Sequence, residues 1–531
     1  MRGTHLRRFP TPSLSRRHLL IAGGAALATS AASGRVLAQP VFDRNPFGLG
    51  VASGEPTPDG FVIWTRVLAD PLSPPPTVSD AYPLTYQIAE DPDFKRIVRS
   101  AETLALPQDA HTVHIALRDL RPGRDYWYRF RLHPDHISAT GRARTAPAPD
   151  AAVDQLDIVV ASCQHYEGGY YGAWRDAVRE RDRPLDAILF LGDYIYESPG
   201  GGRPGRQHDR EDNPVTLDDF RRRYALYKSD PDLQAAHAAV PWLAIWDDHE
   251  VENDYANAQS QHRMDPAAFI ALRAAAYRAW WEHMPVGMAL KPNGPDATIY
   301  RRVRFGDLAC IDLLDGRQYR SPQPCPRPGT GGSNIVGPAC ADRLGPALSM
   351  LGAAQEKWLY DGFREGGARW NLIGNQTLMA PLDFQIGAGE LWRTDQWDGY
   401  PAARARLYAA MRATRLSNPV VLTGDFHAHI VGDLFDDANG RGPAVASEFA
   451  GTSISSGGPQ RDDAWFAARL AENPHLKLFN NRHRGHLSIR ATPKSLVTDL
   501  RIIEDVHDRF SPGRSLARFA VDHGRPGVIA I

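Results

Sequence analysis

Short apolar runs that end in turn or polar residues alternate with helical patterns from about residue 154 onward. These runs cover 156–163, 187–191, 242–246, 309–314, 370–373 and 420–423. Continuous apolar runs of this length are typical of strands buried on both faces of a sheet. Helical spacing covers the stretches between them, at 174–181, 217–226, 231–240, 267–284, 353–363 and 401–415. Strands alternating with helices predict an α/β domain around a largely buried sheet.

The N-terminal part of the chain follows a different pattern, in which short β-rich runs are separated by turn pairs such as Asp59-Gly60 and Pro122-Gly123. The runs cover 61–66, 84–89, 111–117 and 126–132. Repeated short strands at this spacing predict a small β-sandwich of immunoglobulin or fibronectin type. We therefore predict a β-sandwich domain over 42–148 and a second domain over 150–531, separated by the Pro-rich stretch around 145–149.

The last third of the chain, from 445–449 to 496–503, is rich in β-forming residues and predicts strands that complete a second sheet. The tail after Asp505 ends in four apolar residues, 528–531, and is a candidate for docking near a functional site. A length of 531 residues also exceeds what one hydrophobic core usually covers, which favours two domains.

The first 38 residues have the pattern of an export signal. Arg16-Arg17 precedes a weakly hydrophobic run, 21–32, and Val36-Leu37-Ala38 follows it. A twin-arginine pair, a moderate apolar stretch and a small-residue end predict a Tat signal peptide over 1–38. A periplasmic or secreted location and interaction with the Tat export machinery follow from it. The apolar run is too short and too rich in Gly, Ser and Thr to predict a membrane span.

Composition and charge exclude some classes of function. With 43% hydrophobic and 23% charged residues, the chain has the composition of an ordinary globular protein. Its formal net charge is −1, and removal of 1–38 takes away six of the 61 basic residues and none of the 62 acidic ones, which leaves −7. Neither value predicts a nucleic-acid-binding surface, which needs a basic excess or stripe.

The four cysteines have different surroundings. Cys325 and Cys340 lie in a loop rich in Pro and Gly, and in an exported protein they predict a disulfide that closes it. Cys310 lies inside the apolar run 308–314 and predicts a buried thiol. Cys163 lies at the end of a predicted strand, a position at which functional side chains are expected.

Five of the predicted strands end on side chains that are able to bind metal ions. These ends are Ser162-Cys163-Gln164, Gly192-Asp193 with Tyr196, Asp247-Asp248-His249-Glu250, Asn375-Gln376 and Gly424-Asp425-Phe426-His427. Open α/β sheets place their ligands at the carboxyl ends of strands. Burying this many ionisable groups without partners is costly, and a shared cation or pair of cations removes the cost. The alternative is that each residue merely caps its own strand.

The donor types favour two different cations. A thiolate, a phenolate, an imidazole and a carboxylate suit a redox-capable ion of iron type. Several carboxylates with an amide suit a hard ion such as calcium or magnesium. The sequence has too few imidazoles at these ends for an all-His zinc site. Two cations about 3.5–4 Å apart that share a carboxylate form a clamp for in-line displacement at phosphorus.

The motifs Ala161-Ser162-Cys163-Gln164, Gly192–Glu197, Trp246–Glu250 and Leu422–His427, in this order, resemble the PhoD-type alkaline phosphatases of the calcineurin-like metallophosphoesterase superfamily. The resemblance extends over nearly the whole chain after residue 38. It implies a four-layer α/β/β/α catalytic domain preceded by the small β-sandwich domain, with Fe3+ and Ca2+ as cofactors. It also implies Tat export and hydrolysis of phosphate monoesters and diesters.

The resemblance further implies a set of metal ligands, namely Cys163, Asp193, Tyr196, Asp248, Asn375, Asp425 and His427. Asp193 would bridge both ions, while Cys163, Tyr196 and His427 would complete the iron site. The remaining three would bind calcium. His249 corresponds to the histidine of the superfamily that supports the transition state. Arg317, at the end of the run 309–314, is predicted to clamp a phosphate oxygen.

The mechanism expected from this resemblance is in-line attack on phosphorus by a metal-bound hydroxide or oxide, without a phosphoenzyme. The expected substrates are small phosphate esters, with phospholipid headgroups and nucleotides as further candidates. One alternative is a phospholipase D or a dedicated phosphodiesterase on the same metals. An alternative of another class is an exported binding protein with a degenerate, metal-free domain.

Overall fold

The computed structural model describes residues 42–72, 81–132, 135–179, 181–200, 202, 205–366, 368–436, 442–458 and 461–531. Its strands are β1 (Val51–Thr57), β2 (Gly60–Arg66), β3 (Tyr82–Ala89), β4 (Ile97–Ala105), β5 (Thr112–Ala116), β6 (Asp125–Leu132), β7 (His136–Ile137), β8 (Gly141–Arg144), β9 (Leu156–Ala161), β10 (Ala187–Phe190), β11 (Pro241–Ala244), β12 (Arg301–Phe305), β13 (Ala309–Leu313), β14 (Ile335–Val336), β15 (Trp370–Asn375), β16 (Trp392–Arg393), β17 (Pro419–Thr423), β18 (His429–Leu434), β19 (Ala446–Ala450), β20 (Leu476–Asn480), β21 (Arg484–Ala491), β22 (Ser495–Ile503), β23 (Gly513–Asp522) and β24 (Arg525–Ala530).

The α-helices of the described residues are α1 (Gly172–Ala177), α2 (Leu217–Lys228), α3 (Pro231–Ala239), α4 (Pro266–His283), α5 (Gly352–Glu365), α6 (Pro401–Thr414) and α7 (Asp463–Glu472). Several begin at the residue types that satisfy free N–H groups at a helix start. Thr216 and Asp219 form a capping box at α2, and Asp230 and Asp265 cap α3 and α4, each followed by Pro.

Two large sheets carry the fold. The ten-stranded sheet has the order β24-β23-β22-β21-β9-β10-β11-β1-β2-β5, and its centre, β9-β10-β11-β1, is parallel. The seven-stranded sheet has the order β12-β13-β15-β17-β19-β18-β20, with β13, β15, β17 and β19 parallel. Both parallel centres carry almost only buried residues, as their continuous apolar runs predicted.

The sheets face each other, and helices cover their outer faces. Leu189 and Leu243 of the first sheet belong to the same buried core as Leu372 and Leu422 of the second. On the outer side of the first sheet, α1 places Trp174 with its ring centroid 4.8 Å from that of a strand tryptophan. Helices α5, α6 and α7 pack a second core against the other sheet. This arrangement confirms the α/β prediction.

The N-terminal strands form two packed layers, of which one is shared with the rest of the protein. Strands β3, β4, β6, β7 and β8 form a separate sheet, whereas β1, β2 and β5 end the ten-stranded sheet. Val51 and Ile63 on one layer and Leu84 and Phe130 on the other lie in one core. Since β1 pairs with β11, the proposed boundary near residue 148 separates segments of the chain but does not interrupt the sheet.

The predicted strands and helices agree with the structure apart from a few elements. Helix α1 ends at Ala177, earlier than the predicted 181, and α7 lies in a region predicted to be β-rich. The C-terminal strands are divided between the sheets, because β18, β19 and β20 join the second sheet and β21 to β24 join the first. The tail after 505 therefore forms the edge of the ten-stranded sheet.

The predicted Cys325–Cys340 disulfide is present, and the Cys310 thiol is buried as predicted. Among the described helices, none combines the length and the apolar character that a bilayer crossing requires. The proposed signal peptide, 1–38, lies outside the described residues.

Candidate metal centre

The carboxyl ends of the parallel strands bring the predicted ligands together. Four groups of three side chains have ligand atoms within 4.8 Å of one another: Cys163, Asp193 and His427; Asp193, Asp248 and His249; Asp247, Asp248 and Asp425; and Asp248, Asp254 and Asp395. The groups overlap through Asp193 and Asp248, so they form one continuous row. Chain segments more than 200 residues apart in sequence, such as those of Asp193 and His427, thus meet at one point.

The backbone of this row is strained at the residues that carry the chemistry. Cys163, Asp193, Asp425 and His427 have φ angles between 55° and 60°, in the left-handed region. Residues other than glycine rarely adopt this backbone conformation. Such strain persists only where the surrounding structure enforces it. Each of these residues follows a parallel strand, so the left-handed turn redirects its side chain at the strand end.

Two glycines allow the strand ends to approach closely. A Cβ on Gly192 would lie 2.4 Å from the backbone nitrogen of Asp247, and a Cβ on Gly424 would lie 2.6 Å from Ser162 Oγ. Real Cβ atoms do not tolerate such contacts. The Gly-Asp pairs of the sequence therefore have a geometric cause: glycine permits the contact, and the aspartate after it enters the centre.

At one end of the row, Tyr196 links the carboxylate and the imidazole. Its hydroxyl donates to Asp193 Oδ2 at 2.7 Å and lies 3.1 Å from His427 Nε2. His427 Nδ1 lies 2.6 Å from the carbonyl oxygen of Gly457. Burial, followed by the charge of Arg484, lowers the pKa of His427 to about 3. The neutral ring therefore donates through Nδ1 and presents Nε2 to the centre, as a metal-binding histidine does.

The acidic groups of the centre lack sufficient partners of opposite charge. Burial and neighbouring carboxylates raise the pKa of Asp193 well above its ordinary value, and burial does so for Asp247 although Arg317 opposes it. Burial and then Asp193 likewise raise the pKa of the Cys163 thiol. Asp193 Oδ1 and Asp247 Oδ2 are buried and have no hydrogen-bond partner among the described residues. Cations would supply the missing partners, so these donors fit a metal centre.

Arg317 occupies a different position from the one predicted for it. Its side chain is 0% exposed, and it donates to Asp247, to Asp395 at 2.7 Å and to Asp425 at 3.3 Å, with Asp248 at 3.4 Å. Burial opposes the charge of Arg317, but these carboxylates raise its pKa well above the ordinary value. In this arrangement Arg317 is an internal counter-ion and presents no donor to a substrate.

His249 pairs with a carboxylate that is not among the partners of Arg317. Its Nδ1 lies 2.6 Å from Glu197 Oε2, and its ring stacks on Tyr196 with 4.0 Å between centroids. Burial lowers the pKa of His249, but the charges of Glu197, Asp193 and Asp248 outweigh burial and raise it well above the ordinary value. These charges favour the protonated ring, and Glu197 holds it at Nδ1.

Asn375 is the one predicted ligand whose contacts lie elsewhere. Its amide nitrogen donates to the Thr377 carbonyl, and its amide oxygen accepts from Trp397 Nε1 at 3.2 Å. The side chain of the next residue, Gln376, bonds the backbone after two strands, β11 and β13: its amide nitrogen donates to the carbonyls of Trp246 and Leu314, and its amide oxygen accepts from the Gly316 nitrogen. The amides after β15 thus connect strand ends in this structure.

Several residues of the site were missed by the sequence analysis, namely Glu197, Asp254 and Asp395. Glu197 is the last residue of the motif Gly192–Glu197. Its position shortly after a predicted strand was a signal that could have identified it as a site residue. Asp395 lies in a loop after the two-residue strand β16, where no apolar run marks it. Glu250 was quoted without a role, and it accepts from the backbone nitrogens of Asp193, Tyr194 and Asp247. The Glu250 carboxylate therefore connects the ends of β10 and β11 by hydrogen bonds.

Comparisons with known proteins show the family of this chain. Residues 158–500 match the family model described as "PhoD-like phosphatase", and residues 30–147 match "PhoD-like phosphatase, N-terminal domain". The chain is 39% identical to "Alkaline phosphatase D" of Bacillus subtilis (strain 168) over 513 residues, which is 95% of this chain and 86% of the relative. A solved structure described as "Structure of PhoD" superposes with a TM-score of 0.87 at 38% identity and covers 93% of both chains. The chain therefore belongs to the PhoD-like phosphatase family, as its motifs predicted, and is a phosphoric ester hydrolase.

Proposed function

We propose that the enzyme is a metal-dependent alkaline phosphatase that hydrolyses phosphate monoesters and diesters at the row of ligands. Fe3+ would be held by Cys163, Asp193, Tyr196 and His427. Ca2+ would be held by carboxylates on the other side of Asp193, at the groups around Asp248 listed above. The donor chemistry supports this division, since thiolate, phenolate and imidazole stand at one end and only carboxylates at the other.

The observation that carries the proposal is the pair of buried, unpartnered carboxylate oxygens, Asp193 Oδ1 and Asp247 Oδ2, within a row of overlapping ligand groups. A carboxylate without a partner in the protein interior is costly, and an exported binding protein with a degenerate site would have no reason to keep it. Asp193 belongs to two of the groups, which supports its role as the bridge.

When bound, the cations would neutralise charge on the phosphoryl oxygens and make water nucleophilic at working pH. Glu197 holds the Nδ1–H of His249, so the Nε2–H is the proton available to the ester oxygen as it leaves. Arg317 keeps four carboxylates at fixed positions without touching substrate. No side chain is required as a nucleophile, and no phosphoenzyme is expected.

The substrate range proposed is small phosphate esters, with phospholipid headgroups or nucleotides as further candidates. The name of the Bacillus relative supports phosphatase activity. A phospholipase D or a dedicated phosphodiesterase remains the alternative on the same site, and parallel assays on a monoester, a diester and phosphatidylcholine separate the three. We further propose Tat export to the periplasm or the exterior, on the basis of the twin-arginine pattern in 1–38.

The experiment that tests the metal centre measures bound metal and turnover in the same samples. We expect Asp193→Asn and Cys163→Ser to lose iron, as measured by mass spectrometry, together with at least about 100-fold of kcat/KM, because each removes a direct ligand. Cys310→Ser is the matched control, since it removes the other free, buried thiol. Full iron content and full turnover in the Asp193 variant would contradict the bridging role.

A further inference from the structure

Helix α2 carries three consecutive arginines, 221–223, and their side chains have different surroundings. Arg221 pairs with Glu282 of α4, and Arg222 pairs with Asp219 of its own helix. Arg223 is the buried member of the run, with 1% of the residue exposed. Arginine is rarely buried to this degree unless the protein uses its donors.

The buried guanidinium of Arg223 bonds the backbone of two adjacent residues. One of its terminal nitrogens donates to the carbonyl oxygen of Tyr196 at 2.5 Å and to that of Glu197 at 2.9 Å. Its Nε donates to Asp209 Oδ1 at 3.1 Å, which supplies a carboxylate partner for the charge. The guanidinium has several donors in a fixed plane, so one side chain holds both carbonyls and the carboxylate at once.

A second residue of α2 holds the other side of the same peptide segment. Tyr227 lies four residues after Arg223, and residues at this spacing are neighbours on one face of a helix. Its hydroxyl accepts from the backbone nitrogen of Tyr196 at 3.0 Å. Helix α2 therefore fixes Tyr196 through both its nitrogen and its carbonyl group.

The two residues that Arg223 holds face the two parts of the proposed chemistry. The Tyr196 hydroxyl donates to Asp193 Oδ2 at 2.7 Å, at the proposed iron site. Glu197 Oε2 lies 2.6 Å from His249 Nδ1, next to the proposed proton donor. A displacement of the backbone at 196–197 would therefore move a proposed iron ligand and the partner of the histidine together.

We propose that Arg223 is a positioning residue, which sets the geometry of Tyr196 at the iron site and of Glu197 beside His249. The inference rests on the proposed function, because it concerns residues that face the proposed iron site. Arg223 contacts neither the proposed ligand atoms nor the substrate and acts only through the backbone of the two residues. Partners that orient metal ligands in this way typically change metal affinity or activity 10- to 100-fold when they are replaced.

The test compares Arg223→Gln with the full-length wild type by two measurements that do not depend on turnover. The first is titration of metal-free protein with Fe3+ against citrate as a competing chelator, and we expect the affinity to fall about 10- to 100-fold. The second is the visible absorption of the Tyr196 phenolate bound to Fe3+. We expect this band to shift and weaken, because the phenolate oxygen approaches the iron in an altered geometry.

Arg223→Lys is the conservative variant. It keeps the charge, but a lysine ammonium lacks the planar fork that reaches both carbonyls and Asp209. Iron affinity and absorption are therefore expected to lie between those of the wild type and Arg223→Gln. In the metal-loaded variants, kcat for p-nitrophenyl phosphate is expected to fall more than KM changes, because Arg223 does not touch the substrate.

The matched control is Arg221→Gln, on the same helix. It removes two bonds of 2.7 Å to the buried Glu282 carboxylate and leaves the contacts of Tyr196 and Glu197 in place. We expect it to lower Tm while iron affinity and the absorption band keep their wild-type values.

Wild-type iron affinity and absorption in Arg223→Gln would overturn the inference. Equal changes in Arg223→Gln and Arg221→Gln would also overturn it, since general loss of stability would then explain them. If Arg223→Gln does not fold, the same two measurements on Arg223→Lys decide, and wild-type values there overturn the inference. A wild-type protein that takes up no iron would instead contradict the proposed function.

Discussion

At the scale of single residues, the close contact between His249 and Glu197 favours protonation of the histidine ring. The 2.6 Å contact with Glu197 orients the imidazole and favours its protonated form. The same ring stacks on Tyr196, whose hydroxyl contacts Asp193. The proposed proton donor and the proposed bridging ligand are therefore held by one packed set of side chains, and a change at Glu197 acts on the proton without removing a proposed ligand.

Replacing Glu197 with glutamine is expected to move the alkaline limb of the pH–rate profile. Burial lowers the pKa of His249 and the carboxylate raises it, so loss of the carboxylate lowers this pKa. The protonated form is then lost at lower pH as pH rises, and we expect the limb of kcat to move down by about one unit or more. The measurement is kcat between neutral and strongly alkaline pH, with metal content recorded for each sample.

Glu356→Gln serves as the matched control for this experiment. Glu356 is a carboxylate on α5 that pairs with Arg406 at 2.7 Å, outside the ligand row. Its replacement is expected to leave the pH–rate profile in place. If the alkaline limb keeps its position in Glu197→Gln with metal content intact, His249 is not the group that titrates there.

At the scale of elements, the loop closed by Cys325–Cys340 supports the acidic half of the site. Ser333, inside this loop, donates to Asp254 Oδ2 through its backbone nitrogen at 3.1 Å and its hydroxyl at 2.5 Å. The loop also contains β14, which pairs with the strand of Arg393. A disulfide that appears remote in sequence is thus connected by hydrogen bonds to Asp254 and to the strand that precedes Asp395.

Removing this disulfide by replacing both Cys325 and Cys340 with serine is expected to destabilise the protein and weaken calcium binding. The disulfide spans 15 residues, for which chain entropy gives about 3 kcal/mol of the free energy of unfolding. Urea unfolding measures the first effect and calcium titration the second. A reducing agent is the control, because it should reproduce both effects in the wild type and change nothing in the variant. Calcium affinity equal to wild type would show that the loop does not support the site.

At the scale of the whole molecule, the N-terminal strands are built into the catalytic fold. Strand β1 covers the edge of β11. Trp64 of β2 is buried and donates to the Glu282 carbonyl at 2.8 Å, and Arg66 lies 3.1 Å from His283 Nε2. The layer of the β-sandwich that consists of β1, β2 and β5 therefore completes the ten-stranded sheet, and strands of this sheet carry residues of the centre at their carboxyl ends.

A chain that begins at residue 150 is expected not to fold alone. It leaves the β11 edge unpaired and the surface under Trp64 uncovered, and such edges favour aggregation. Circular dichroism on heating should show no cooperative transition, and light scattering should show large species. Co-expression of 42–148 is the control and is expected to recover soluble, metal-containing enzyme. A monomeric 150–531 fragment with full metal content would contradict this expectation.

The sequence by itself determined most of the elements and the proposed ligands that follow parallel strands. The reason is local: an apolar run specifies a buried strand, and the residue after Gly192 or Gly424 must then lie at the edge of the sheet. The order of these motifs was also sufficient to identify the family. Asp193 and His427 could therefore be assigned to one centre without knowledge of the structure.

The tertiary structure decided everything that depends on which distant segments meet. Asp395 follows a strand of only two residues, and hydrogen bonds from Arg317, Arg320 and Gln323, far away in the sequence, hold it at the centre. The sequence placed Arg317 correctly at a strand end, but a buried guanidinium binds whichever carboxylates surround it, and these come from three other segments. Sheet continuity across residue 148 likewise arises from pairing between strands far apart in the chain, which no local pattern of polar and apolar residues encodes.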